Sequence, residues 1–193
     1  MNKFVVLMLA ALSLVSACST PKPVSTPELN FTQQPVIKLD VTKIEVIEAY
    51  KSPFASPNVE HLMPYSPADA MQIWIKDRLR ATGSDKMLQI TIVDAPVIAK
   101  DLPKTKGITG LFTVDQDKEY NARLEVEMRV YGTEALSEAT TSVSVTRSIS
   151  IPENASADSR KSAYTLMIQD MMKTINEKLE QNIRSYLGKY IQY

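Results

Sequence analysis

The chain has 193 residues, with 22 Lys and Arg against 22 Asp and Glu, one histidine and one cysteine. A formal charge of +0 gives no pull toward nucleic acid or an anionic membrane surface, and a lone cysteine excludes an internal disulfide. Aliphatic residues and methionines are plentiful while aromatics make up only 7%, so a core has to be built mainly without rings.

Met1-Asn2-Lys3 supplies one positive charge, and Phe4 to Val15 is then apolar apart from Ser13. About 12 residues rising about 1.5 Å each cannot cross a hydrocarbon core about 30 Å thick. A charged start, a short apolar run and small residues after it mark residues 1–17 as an export signal. The sequence Val15-Ser16-Ala17-Cys18 resembles the lipobox of bacterial lipoproteins. That resemblance implies cleavage between Ala17 and Cys18 and acylation of Cys18. With Ser19 following, it also implies an outer-membrane address, the domain facing the periplasm. An ordinary secreted chain with a chance cysteine is the alternative, although a free thiol in an oxidising compartment would be a liability. Acyl chains contribute about 0.8 kcal/mol per buried methylene, so two or three of them would anchor the protein permanently.

Residues 18–35 read as a tether after the lipidated cysteine: four prolines among Ser and Thr deny both helix and ladder hydrogen bonds. The remaining residues, 36–193, are expected to form a single periplasmic domain. Val36 to Tyr50 alternates as a strand, with a parity flip near Thr42-Lys43 that predicts a bulge. Residues 51–65 hold three prolines and read as a loop crossing the sheet edge. Ser66-Pro67-Ala68-Asp69 starts a helix, with Ser66 as cap, Pro67 at the first position and Asp69 answering at the third. Its stripe is Ala70, Met71, Trp74, Ile75 and Arg78 or Leu79, and Gly83 is expected to end it.

Met87 to Val93 is a second strand with Leu88, Ile90 and Ile92 on one face, and Pro96 breaks it. Residues 100–118 form a long connection. Tyr120 to Val130 alternates cleanly, its even-numbered residues apolar and its odd-numbered ones Asn121, Arg123, Glu125, Glu127 and Arg129. After the Gly132 turn, Ala139 to Ile151 returns with Val143, Val145, Ile149 and Ile151 inward. Pro152 stops that strand. A helix of about 28 residues follows, capped by Ser156 or Ser159, with Tyr164, Ile168, Met171, Ile175, Leu179, Ile183 and Tyr186 on its stripe. The expected fold is α+β, in the order strand-helix-strand-strand-strand-helix. Two helices pack on one face of a four-stranded, largely antiparallel sheet whose other face is wet.

Chemistry-bearing patterns are sparse. His61 has no second histidine to share a metal and no G-x-S-x-G elbow to serve, so a plain loop role is expected. Asp115 with Asp117 and Glu125 with Glu127 are carboxylate pairs; for the second, cross-strand ion pairing with Arg123 and Arg129 competes with a hydrolase pair. The segment from Lys104 to Phe112 has two glycines and three apolar residues but no G-K-[ST] ending. Ile108, Leu111 and Phe112 either fold back over the core or form a docking loop for a partner. Met167, Met171 and Met172 are either core or an adaptable contact surface.

By lipobox, tether and element order, residues 36–187 resemble LptE-type lipopolysaccharide-assembly lipoproteins and the auxiliary lipoproteins of ABC-type lipid transporters. The longer loop before the first helix and the late C-terminal helix depart from the first of these. The resemblance is one of topology and transfers no functional residue. The expectation is a non-enzymatic, lipid-anchored component of envelope assembly or lipid transport that binds an envelope protein. It would need no cofactor, metal or nucleic acid. A lipid or small-molecule module with a groove between helices and sheet is the first alternative. An anchored hydrolase, which needs acidic side chains converging near His61, is the second.

Overall fold

The computed structural model describes residues 28–103, 116–132 and 137–193. Among them the chain runs β1 (Ile37–Leu39), β2 (Lys43–Glu48), α1 (Pro67–Arg78), β3 (Leu79–Ala81), β4 (Met87–Asp94), β5 (Val97–Asp101), β6 (Gln116–Tyr131), β7 (Ser137–Pro152), α2 (Ala157–Tyr186) and β8 (Ile191–Gln192). The class is α+β, as the order of patterns predicts, but the strands divide between two sheets. A five-stranded sheet has the order β2-β4-β6-β5 with β7 on the far side of β6; a small sheet has the order β3-β1-β8.

β6 is the frame of the large sheet. It pairs antiparallel with β7 along its length, with β4 at Glu125–Tyr131 and with β5 at Lys118–Ala122. Its alternation does what period two requires: Tyr120, Ala122, Leu124, Val126, Met128 and Val130 are buried, while Arg123 and Arg129 are exposed. On β4, Leu88, Ile90 and Ile92 are fully buried. Both helices cover this apolar face. α2 lays down Ile168, Met171, Met172, Ile175, Leu179 and Ile183, all buried, at steps of three and four. Each such side chain contributes about 1.5–3 kcal/mol on leaving water. Met167 is also buried, so the three methionines are core and not a contact surface. Its exposed positions keep α2 amphipathic, and no described helix is long and apolar enough to cross a membrane.

Several expectations need correction. Val36 to Tyr50 is two strands, not one bulged strand: at the parity flip the chain leaves β1 in the small sheet and enters β2 in the large one. α1 ends at Arg78, because Leu79–Ala81 is taken into parallel pairing with Ile37–Leu39. Gly83 is therefore no helix cap. It lies where the chain passes Asp40, and a Cβ there would sit 2.5 Å from the Asp40 carbonyl carbon. Pro96 separates β4 from a further strand, β5, which the sequence reading did not expect and which runs into the first two residues of the expected long connection. On α2 the stripe ends on buried Leu187, one position past Tyr186, which is 61% exposed.

The end of the expected tether is also packed. Leu29 and Phe31 are buried against the core, and the Phe31 amide donates to Asp77 Oδ2 at 2.8 Å. Arg78, 1% exposed, holds the segment from below: its Nε donates to the Pro35 carbonyl at 3.0 Å and its Nη1 to Gln34. The same guanidinium donates to Asn176 and pairs with Glu180 at 3.0 Å, with the Trp74 ring 5.9 Å away. Trp74 Nε1 donates to Asn176 at 2.8 Å. One buried polar cluster thus joins residues 28–35, α1 and α2, with every described buried side-chain polar atom satisfied.

Candidate functional site: a groove between the edge strand and the first helix

α1 is fixed at its start by a complete capping box. Ser66 Oγ accepts from the Asp69 amide at 3.0 Å, and Asp69 Oδ2 accepts from the Ser66 amide at 3.1 Å. The helix buries Ala70, Met71, Trp74 and Ile75 and turns Asp69, Gln72 and Lys76 outward. β2 lies beneath this outer flank. It pairs in parallel with β4, Val46 opposite Ile90 and Glu48 opposite Ile92, so Val46 and Glu48 point to the helix side of the sheet. Yet Val46 remains 40% exposed, because α1 does not reach over the sheet's edge.

The uncovered strip is a groove of about 780 Å³ whose walls include Val46, Pro64, Tyr65, Ile73 and Ile75. Glu48 and Asp69 also line it, with Lys76 the one cation among its lining residues. Gln72 Nε2 donates to Glu48 Oε2 at 3.0 Å across the groove.

Beyond Glu48 and Asp69 the surface dips into a smaller pocket of about 310 Å³ lined also by Tyr50, Phe54, Glu60 and His61. Glu60 organises it. Although only 3% exposed, its carboxylate accepts from Tyr50 Oη at 2.7 Å, from Ser52 Oγ at 2.5 Å and from the Val97 amide at 3.0 Å. Asn58 Nδ2 donates to Tyr50 Oη at 3.0 Å and completes the chain. Burial pushes the Glu60 carboxyl up, but the bonds from Ser52, Tyr50 and Val97 outweigh it and hold the group below its ordinary value. The Tyr50 hydroxyl is driven up, first by burial and then by the Glu60 charge it faces. These bonds tie the proline-rich loop to the start of β5.

The predicted site residues fare unevenly. Ala17, Cys18, Ile108, Leu111 and Phe112 lie outside the described residues, as does Asp115. His61 stands on the loop, its ring 5.5 Å from that of Phe54, which is 73% exposed with a φ of 53°. Glu125 and Glu127 pair with Arg123 and Arg129, two positions away on the same strand rather than across strands; Asp94 reaches Arg123 from β4 at 3.4 Å. The acidic groups near His61 do share one pocket, but each has a structural donor: Glu60 as above, Asp69 in the cap, Glu48 on Gln72. Between the helices and the sheet the large side chains, Trp74, Met71, Leu124 and Met171 among them, are fully buried and close-packed, so the groove lies at the sheet margin instead.

Sequence reasoning missed Glu60 and the groove. The signal for the groove was Ile73, an apolar residue off the helix stripe. For Glu60 there was none, since its donors are main-chain and hydroxyl groups brought in by the loop.

No family model matches the chain, and no curated protein matches it in sequence. It is similar to several solved bacterial structures. A minor lipoprotein of Acinetobacter baumannii is 11% identical, with 73% of this chain and 94% of that one covered at a TM-score of 0.32. A DUF330 protein of Xanthomonas campestris is 10% identical over 80% and 88%, at a TM-score of 0.34. The lipoprotein GNA1162 of Neisseria meningitidis is 9% identical over 72% and 99%, at a TM-score of 0.29. Overlaps of this size add nothing to the architecture described above.

Proposed function

We propose that this protein is a lipid-anchored envelope component whose domain works by binding a partner rather than by catalysis, and that the groove between β2 and α1 is the binding surface. The observation that carries this reading is the groove itself: about 780 Å³ of half-covered apolar surface beside a strand that ends its sheet. Structural donors on Glu48, Glu60 and Asp69 support binding over catalysis, because a carboxylate committed to the fold is poorly placed to move a proton. The lipobox supports the anchor at Cys18, and Ser19 supports outer-membrane sorting.

A photo-crosslinking side chain placed at Ile73 and activated in intact cells tests the surface; an equivalent at Glu127, on the opposite sheet face, is the control. A defined adduct from the first site only is the expected result, and adducts from neither site refute the reading. Intact mass of the membrane-extracted protein tests the address. Loss of residues 1–17 with gain of acyl mass is expected, both abolished by Cys18→Ala; an unacylated mass removes the anchor.

A further inference from the structure

The large sheet has three edge strands, and the structure treats them differently: the outer side of β5 is taken by the preceding loop, the Ala99 amide donating to the Pro57 carbonyl and the Val59 amide to that of Val97. β7, at one end, is 16 residues long, and its outward-facing main chain is met by side chains: Asn182 Nδ2 donates to the Ser142 carbonyl at 3.1 Å and Arg147 Nη1 to that of Thr146 at 2.9 Å. Such cover blunts an edge against pairing. β2, at the other end, has β4 on one side and, among the described residues, no strand or side chain bonded to the main chain of Lys43–Ile47 on the other. Among the described residues, a strand six residues long, about 20 Å, thus has no partner on its outer side, directly beneath the groove.

We infer that this groove takes an extended segment of another protein, which joins the sheet as a strand alongside β2 and places alternate side chains under α1. The inference rests on the proposed partner-binding reading and names the partner's chemistry. Main-chain groups along β2 supply the pairing, and the apolar walls at Val46, Tyr65 and Ile73 take side chains spaced two residues apart, about 7 Å. Charge sets the rest. Glu48 and Asp69 stand at the end of the groove that adjoins buried Glu60, whereas Lys76 stands on the last turn of α1. A Lys or Arg in the segment, two or four positions from its apolar residues, meets the two carboxylates. The same carboxylates disfavour an anionic lipid headgroup, and the open row of amides and carbonyls offers an acyl chain nothing.

A random decapeptide library displayed on phage, selected against the detergent-extracted full chain, tests this without knowledge of the natural partner. Enriched peptides are expected to alternate apolar and polar residues and to carry a basic residue in phase with the apolar set. In a fluorescence-polarisation assay of the best peptide, N-methylation of one alternate set of its amides is expected to weaken binding by about tenfold per blocked bond, and of the other set hardly at all. Ile73→Glu should weaken it at least tenfold, and Glu48→Lys should shift the selection toward acidic peptides; unchanged thermal midpoints show that both variants fold. Enrichment without alternation, or indifference to N-methylation, overturns strand addition. So does Ile73-dependent binding of phosphatidylglycerol vesicles in place of peptide, or a concentration-dependent dimer lost in Ile73→Glu on sedimentation. An Ile73 adduct in cells with no alternating peptides leaves partner binding standing and removes strand addition alone; no adduct and no peptides remove both.

Discussion

Replacing Glu60 puts the loop that borders the groove to the sharpest test, because two large effects oppose each other there. Burying a carboxylate costs several kcal/mol, and three donors have to offset that. The depressed pKa indicates that the donors win. In Glu60→Gln the amide oxygen can face the Val97 amide while its NH2 turns toward the Tyr50 and Ser52 hydroxyls, which can accept as well as donate. Bonds to a charged acceptor, about 1.5–3 kcal/mol each, become neutral ones of about 1 kcal/mol, while the cost of burying the charge disappears. A net loss of about 1–2 kcal/mol is expected. Glu60→Ala leaves the buried Val97 amide without its partner and should cost about 3 kcal/mol. Urea denaturation followed by circular dichroism reads both. The pH dependence gives a second reading. The group titrates near its ordinary 4.5 when unfolded and lower when folded. Its contribution is therefore complete above about 4.5 and is lost as pH falls through the depressed folded value. Wild type should lose stability across that acid window by more than Glu60→Gln does. A Gln variant as stable as wild type at pH 7, or with the same acid loss, would show that burial outweighs the donors and refute the reasoning.

Arg78→Ala should cost about 3 kcal/mol, since it removes a buried cation, strands the Pro35 carbonyl and leaves Asn176 Oδ1 with Trp74 alone; hydrogen exchange at the Phe31 amide should quicken with it. Met171→Ala should lower stability by about 2–5 kcal/mol in urea, as expected for a cavity between α2 and the sheet. Ser66→Ala removes the side-chain half of the capping box, the Oγ that accepts from the Asp69 amide, and should cost about 1 kcal/mol, with faster exchange confined to the first turn of α1.

How much of this was legible depends on whether the deciding partner was local. β6 could be read residue by residue because its alternation is imposed by one buried face, and α2 because five of its buried residues recur at steps of three and four. The Ser66 cap is local chemistry and was legible too. Leu79 was not: its spacing continues the α1 stripe, and only pairing with Ile37, 42 positions earlier, makes it a strand. β1 was fused with β2 for the same reason, since its neighbours are Leu79–Ala81 and Ile191–Gln192. Glu60 looked like any loop carboxylate. Its donors Tyr50, Ser52 and Val97 lie 10, 8 and 37 positions away, beyond any window in which a pattern could be seen.

The packing of residues 28–35 changes what the proline-rich segment can do. Read as a tether to residue 35, it would hold the domain about 50 Å from the anchor at about 3.1 Å per residue. But the Phe31 amide is bonded to Asp77, and Arg78 grips Pro35 and Gln34, so the packed segment begins near Glu28, ten positions after the proposed anchor at Cys18. Ten residues span at most about 35 Å fully extended. For a domain with a radius of gyration of about 15 Å, that is no more than about its own diameter. The packed segment also meets α1 at a fixed place: the Phe31 amide is bonded to Asp77 in the last turn, one position after Lys76, while Glu48 and Asp69 stand farther along the groove. With the proposed anchor at Cys18, the packing of residues 28–35 would therefore set both the reach of the domain and which end of the groove is nearer that anchor. Releasing it should lengthen the tether without altering the groove, so Arg78→Ala separates the two: crosslinks from Ile73 would survive only for a partner that tolerates a longer reach.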